Sequence, residues 1–313
     1  MAILVLTLLA IFVVATGWKV ANRHAEALSA YPPEGQFVEV EGHPVHYVQR
    51  GTGPDLVLIH GASGNTRDFT FSLVDQLTDR YRVTVFDRPG LGYTPRLARR
   101  GVTITDQANL LVAASKALGV SKPIVLGQSF GGAVAMAWAV EHPDYTAAVV
   151  DVSGATYPWP GDLDRLYSTL ATPVIGPALA WVIGAWVSTD YIDKSIESVF
   201  APQSAPPGYA DYIGGLLVIR PHSLLANAQQ RTDLREELRA LSPRYTELTM
   251  PIEIVHGTAD DTVSLRIHSE ALERDVTSAH LTPLPGIGHM PQQVAQPEVI
   301  AAIDRAAERA GLR

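Results

Sequence analysis

The sequence predicts an α/β fold with a mostly parallel, doubly wound sheet and an inserted helical segment. Three observations predict it. Short runs that are apolar throughout alternate with longer stretches of helical periodicity, as strands buried on both faces of a parallel sheet require. Glycines and prolines bound those runs. The alternation lapses between residues 155 and 244 and resumes at Ile252, so the chain returns to its first sheet and the intervening stretch reads as an insertion rather than a tandem domain. With 313 residues, 47% of them apolar, the chain is long enough to bury a sizeable core and too apolar for a disordered one.

Taken in order, residues 2–18 come first and are almost wholly apolar, interrupted only by Thr7, Thr16 and Gly17. A helix of that length spans roughly 25 Å, slightly short of a ~30 Å hydrocarbon core. Trp18 and Lys19 suit its interfacial end. The run has no polar face, which counts against a buried helix of the soluble domain, the blandest reading. A cleaved signal peptide is the competing reading. It wants a basic leading region and a small-x-small cleavage site, and the run offers no basic leader and only a poor site at residues 14–17. The expectation is a transmembrane or signal-anchor segment over residues 1–18, a linker over 19–35 that ends in Tyr31-Pro32-Pro33-Glu34-Gly35, and thus a membrane partner. Lys19, Arg23 and His24 follow the span, and the positive-inside rule then leaves the main domain on the cytoplasmic side.

Residues 37–40 and 45–49 read as a hairpin around Glu41-Gly42-His43-Pro44. Continuous apolar strands follow at 56–60, 82–87, 124–128, 147–152, 252–256 and 279–282. Helical periodicity occupies 66–78, 105–118, 131–141, 265–274 and 297–310; Thr105 or Asp106 can cap the second, and His142-Pro143 ends the third. The core is thus expected over 36–154 and 245–313, with a helical cap over 155–244. That cap is rich in Trp, Tyr, Leu and Ala, which suits an apolar cleft. Tyr157, Trp159 and His222 are its candidate pocket-lining groups, although most of its aromatics belong to a cap core.

A net charge of −8 without a basic block argues against nucleic acid, since phosphate binding needs clustered cations. The absence of cysteine excludes disulfides, thiolate metal sites and cysteine nucleophiles. The chemistry concentrates in Gly127-Gln128-Ser129-Phe130-Gly131, a G-x-S-x-G pentapeptide between an expected strand and an expected helix. A serine on so sharp a turn needs small neighbours, and the turn aims its hydroxyl out of the sheet at a helix N-terminus. A serine hydroxyl needs a base, and the base needs an orienting acid. His289, in the loop Pro285-Gly286-Ile287-Gly288-His289 after the last strand, is the base; His268 and His280 lie in or near ordinary secondary structure. The acid is Asp260, which follows strand 252–256 by a short loop. Asp151, at the end of strand 147–152, ranks next, and the adjacent Asp261 third. The oxyanion donors are the backbone N–H groups of Phe130 and, by position in His60-Gly61-Ala62-Ser63-Gly64-Asn65, of Ala62. Ser63 or Asn65 adds a side-chain donor or caps the helix that follows.

The strand followed by His60-Gly61, the segment Phe86-Asp87-Arg88-Pro89-Gly90-Leu91-Gly92, the serine turn, Gly257-x-x-Asp260 and Gly288-His289 resemble, in their order, the α/β-hydrolase superfamily over residues 37–313. The resemblance implies a hydrolase with an acyl-enzyme mechanism and no metal or organic cofactor. It also implies a structural role for the Asp87-Arg88-Pro89-Gly90 loop and a variable cap where the alternation lapses. Ser129 stands where haloalkane dehalogenases and epoxide hydrolases of this fold use aspartate, which counts against both activities. The expected function is hydrolysis of a carboxylic ester of a small or medium apolar substrate. A C–C bond hydrolase, a small-substrate peptidase and a non-catalytic binding or assembly protein remain as alternatives. No pattern sets the oligomeric state.

Overall fold

A computed structural model describes residues 1–161 and 164–313; residues 162 and 163 of the expected insertion lie outside it. Among the described residues, eight strands form one sheet: β1 (Gln36–Val40), β2 (His43–Arg50), β3 (Asp55–Ile59), β4 (Arg82–Phe86), β5 (Ile124–Gln128), β6 (Ala148–Val152), β7 (Ile252–Gly257) and β8 (Ala279–Leu284). Their order is β1-β2-β4-β3-β5-β6-β7-β8. β1 and β2 form the expected antiparallel hairpin, and β2 pairs antiparallel with β4. Every pair from β4 to β8 is parallel.

The continuous apolar runs have the predicted cause. Each residue of β3, β5, β6 and β7 is buried, because helices cover both faces. Helices Ile104–Ala117 and Phe130–Glu141 pack on one face through Leu111, Val134 and Trp138, while Phe69, Leu77 and the apolar side of helix Gln296–Arg309 pack on the other. Helix Ile104–Ala117 starts at a capping box between Thr103 and Asp106, one residue ahead of the expected start. The expected helix at 66–78 is broken into Arg67–Thr70 and a 3-10 turn, Val74–Gln76.

The chain runs from β3 outward to β4 and later from β5 in the opposite direction along the sheet. The C-terminal ends of β3 and β5 therefore flank a topological switch point, where an open α/β sheet leaves a crevice for ligands. Above it, between β6 and β7, lies a helical stretch that includes Ile175–Trp186, Thr189–Ser198 and Pro221–Leu241. The N-terminal helix is longer than the apolar run. It spans Ala2–Ala30, so the stretch expected as a linker is helical as far as Ala30. Val20, Ala21 and residues 25–28 favour helix, and only Tyr31-Pro32-Pro33 stops it. The helix meets the body at Phe12, whose ring stacks on Trp186 at 5.9 Å.

Candidate active site

Ser129 joins β5 to helix Phe130–Glu141 with φ 54° and ψ −117°, a conformation L residues rarely adopt and one that signals stored strain. The surroundings enforce it. A Cβ on Gly127 would lie 2.1 Å from the Gly131 carbonyl oxygen, and one on Gly131 would lie 2.1 Å from that of Ile59. The Ser129 N–H donates to the Val152 carbonyl at 3.0 Å, and its own carbonyl accepts from Gly132 and Ala155. The hydroxyl is thereby held over the sheet's C-terminal edge.

The loop after β8 brings His289 to it. His289 Nε2 lies 3.0 Å from Ser129 Oγ, and Nδ1 lies 2.7 Å from Asp260 Oδ2. The loop is tied to the helical stretch: the Gly288 N–H donates to Gln203 Oε1 at 2.9 Å. Asp260 Oδ1 accepts from the Thr262 and Val263 N–H groups, both at 2.9 Å. Its Oδ2 lies 3.2 Å from His256 Nε2. Burial alone would raise the Asp260 carboxyl. Hydrogen bonds from His256 and His289 and from the Val263 backbone outweigh that and hold it well below the usual carboxylate range.

The other candidates do not join this hydrogen-bonded line. Asp151 is fully buried within β6 and faces Gly132 and Gly154; burial pushes its carboxyl up to about 7. Asp261 is exposed beside Thr262. His268 Nδ1 accepts from the Thr156 and Tyr157 N–H groups at 3.1 Å, and His280 faces Glu253.

Ala62 and Phe130 both line the crevice that holds Ser129. Neither backbone N–H meets an acceptor among the described residues. The neighbouring side chains are committed. Asn65 Oδ1 accepts from the Arg67 N–H and its Nδ2 donates to the Ile213 carbonyl, so its side chain is tied to the turn that enters helix Arg67–Thr70. The Ser63 N–H donates to Asn227 Oδ1, and Asn227 Nδ2 donates to Ser63 Oγ, both at 2.9 Å. Sequence reasoning missed Asn227, which lies 164 positions away on helix Pro221–Leu241, and also the role of Arg88. This guanidinium is fully buried and 4.3 Å over the Phe130 ring. It donates to the carbonyls of His60 at 2.9 Å and Gly61 at 2.8 Å, and to Gln107 and Gln230. Burial lowers it to about 9. His60 in turn accepts the Arg88 N–H, and burial and Arg88 pull it down to about 3, so it is neutral. Arg88 thus clamps the loop after β3 against the serine turn.

The crevice opens into a cavity of about 1020 Å³, at the upper end of the range for small-molecule sites. Leu170, Leu179, Ile183, Val187 and Ile192 supply much of its apolar wall. Of the three aromatic candidates, Trp159 lines it. Tyr157 instead donates to Asp275, and His222 packs against His24 of the N-terminal helix; both expectations are corrected. Among the described residues no group of three or more acidic or histidine side chains could hold a metal ion.

Residues 54–295 match the model of the α/β hydrolase fold family, and the chain belongs to that family. It is 34% identical to haloalkane dehalogenase 2 of Mycobacterium tuberculosis over 133 residues, 42% of this chain and 45% of that enzyme; the match thus spans under half of that relative's length. It is 27% identical to the pimeloyl-[acyl-carrier protein] methyl ester esterase of Vibrio vulnificus over 233 residues, 71% of this chain and 82% of the esterase. Among solved structures, a membrane phospholipase A described as a bacterial virulence factor superposes with a TM-score of 0.68. It is 20% identical and the match covers 98% of this chain and 99% of that one, a likeness of fold.

Proposed function

We propose that the protein is a serine hydrolase, held at a membrane by its N-terminal helix, that cleaves a carboxylic ester of a small or medium apolar substrate. One observation carries the reading: Ser129 Oγ, His289 and Asp260 lie in a hydrogen-bonded line at the floor of a largely apolar cavity. In this reading His289 takes the hydroxyl proton as Ser129 attacks the ester carbonyl. Asp260 holds the imidazole's orientation and stabilises its cationic form. The Ala62 and Phe130 N–H groups receive the oxyanion, helped by the N-terminus of helix Phe130–Glu141. His289 then protonates the leaving alcohol, and the acyl-enzyme is hydrolysed by a water that gives its proton to His289. The stretch over residues 155–244 serves as the cap.

The ester esterase relative supports the substrate class, and serine at position 129 opposes the aspartate-nucleophile chemistry expected of a dehalogenase. The free N–H pair favours catalysis over a purely binding role. The test is release of p-nitrophenol from acyl esters of graded chain length by the full chain in detergent. Turnover that falls on the order of 10⁴-fold or more in Ser129→Ala is expected; turnover within tenfold of the parent in that variant would reject the proposal. The membrane reading rests on Ala2–Ala30, long and apolar enough to cross a bilayer. It predicts that the full chain stays with membranes after a carbonate wash, and its recovery as a shortened, soluble product would mean cleavage of a signal.

A further inference from the structure

Helix Ile175–Trp186 reads Ile-Gly-Pro-Ala-Leu-Ala-Trp-Val-Ile-Gly-Ala-Trp, without one ionisable or hydroxyl side chain. A helix apolar on every side belongs in a core or in lipid. This one is in a core on one side only. Gly176, Ala180, Gly184 and Ala185 are buried, and Leu179 and Ile183 reach the catalytic cavity. The opposite side faces outward. Ile175 is 60% exposed, Trp181 46%, Val182 37% and Trp186 44%, and Val174 just before them is 82% exposed. Such a stripe, contiguous along three turns, is not what water tolerates on a monomer's surface without a partner.

The N-terminal helix says what the partner is. It crosses this helix at the end of its apolar run. Phe12 stacks on Trp186, Trp186 Nε1 donates to Thr16 Oγ1 at 3.0 Å, and the Lys19 ammonium lies 4.0 Å over the Trp186 ring. Arg23 Nη1 donates to the Gly184 carbonyl. The outward stripe is therefore continuous with the exposed apolar surface of residues 3–14 and sits at the depth where Trp18 and Lys19 end it. At 12 residues the helix is too short to span a bilayer and of a length found in interfacial segments; its two tryptophans suit the headgroup boundary.

We propose that helix Ile175–Trp186 lies in the bilayer interface beside the N-terminal helix, with its outer stripe in lipid and its inner side forming the cavity wall. The partner is the lipid surface itself. The substrate class narrows accordingly to esters dissolved in that bilayer, which meet the cavity across one helix without passing through water. This inference rests on the reading of the N-terminal helix as a membrane anchor.

The chain has no cysteine, so single-cysteine variants carry a fluorophore without background. Four are made in the full chain: Leu9→Cys in the anchor, Ile175→Cys and Val182→Cys on the stripe, and Phe37→Cys on the exposed edge strand β1. Each is reconstituted into phosphatidylcholine vesicles and exposed to brominated acyl chains or to aqueous iodide. Labels at 9, 175 and 182 are expected to be quenched by brominated lipid and protected from iodide, with the reverse at 37. Quenching at 9 but iodide access at 175 and 182 would overturn this inference and leave the anchor standing. Labels at 175 and 182 shielded from both quenchers would overturn it in favour of a second copy of the chain covering the stripe. Iodide access at 9 would remove the anchor and this inference with it.

Discussion

Asp151 and Asp260 stand at neighbouring strands, on β6 and just after β7, and their side chains are both buried. Their states are opposite. The Asp151 oxygens find no hydrogen-bond partner of good geometry among the described residues, and burial lifts the group to about 7. Asp260 is met by two backbone N–H groups and two imidazoles and stays low. Burial sets the penalty for charge, and the donors decide whether it is overcome. A carboxylate able to support a histidine cation must be buried enough to act strongly and bonded enough to stay ionised. Only one of the two meets both conditions.

Substitution by asparagine separates the pair most sharply. Asp260→Asn is expected to lower kcat by about 10⁴, because the amide supports the wrong imidazole tautomer, whereas Asp151→Asn leaves kcat within about threefold. A larger loss from Asp151→Asn, measured on the same ester, would transfer the acid's role to β6. Stability reverses the order. A folded carboxyl at about 7 keeps a proton that the unfolded chain releases near 3.8, so native stability falls as pH climbs between those values and levels off above them. Asp151→Asn removes that slope. It gains on the order of a few kcal/mol over the parent at pH 8 and nothing near pH 3.5. Thermal midpoints that run parallel across this range would show that Asp151 is not held protonated.

Smaller effects probe what surrounds the ionised member. His256→Leu removes one imidazole from Asp260 and leaves His289 in place. A fall in kcat of about tenfold is expected, with KM unchanged; an unaltered kcat would assign Asp260's state to the backbone donors. Asn227→Ala frees the loop that carries Ala62. A loss of about fivefold in kcat is expected from one looser donor, about 1 kcal/mol in the activation barrier, and an effect confined to KM would place Asn227 in substrate binding instead.

What was legible in the chain follows the same division. The parallel strands announced themselves because burial on both faces leaves no polar position in them. The serine turn was legible because glycines 127 and 131 are demanded by backbone atoms four or five residues away or at the end of the next strand, and because the strand and helix around it have distinct periods. In the sequence, loop position alone puts Asp260 ahead of Asp151. Neither the orphaned state of Asp151 nor the His256 contact has a local signature. Asn227 was illegible for a related reason: its partner Ser63 lies 164 positions away. The segment around Arg88 reads as structural in the sequence, but the clamp of its guanidinium on the His60 and Gly61 carbonyls has no signature in the chain. Of the three pocket candidates in the stretch over residues 155–244, Trp159 lines the cavity. Tyr157 and His222 face other elements, and aliphatic side chains from several helices supply much of the remaining wall. Helix past residue 18 was missed because the apolar run ends there while helix propensity does not.

The central claim is that the Ser129 hydroxyl is made nucleophilic by His289. A fluorophosphonate probe tests it without knowledge of the natural ester. The full chain in detergent is predicted to take up one phosphonyl group, mapped by peptide mass spectrometry to Ser129, with a rate that falls on the order of 10³-fold or more in His289→Ala. A chain that stays unlabelled, a label on another residue, or an equal rate in His289→Ala would contradict it.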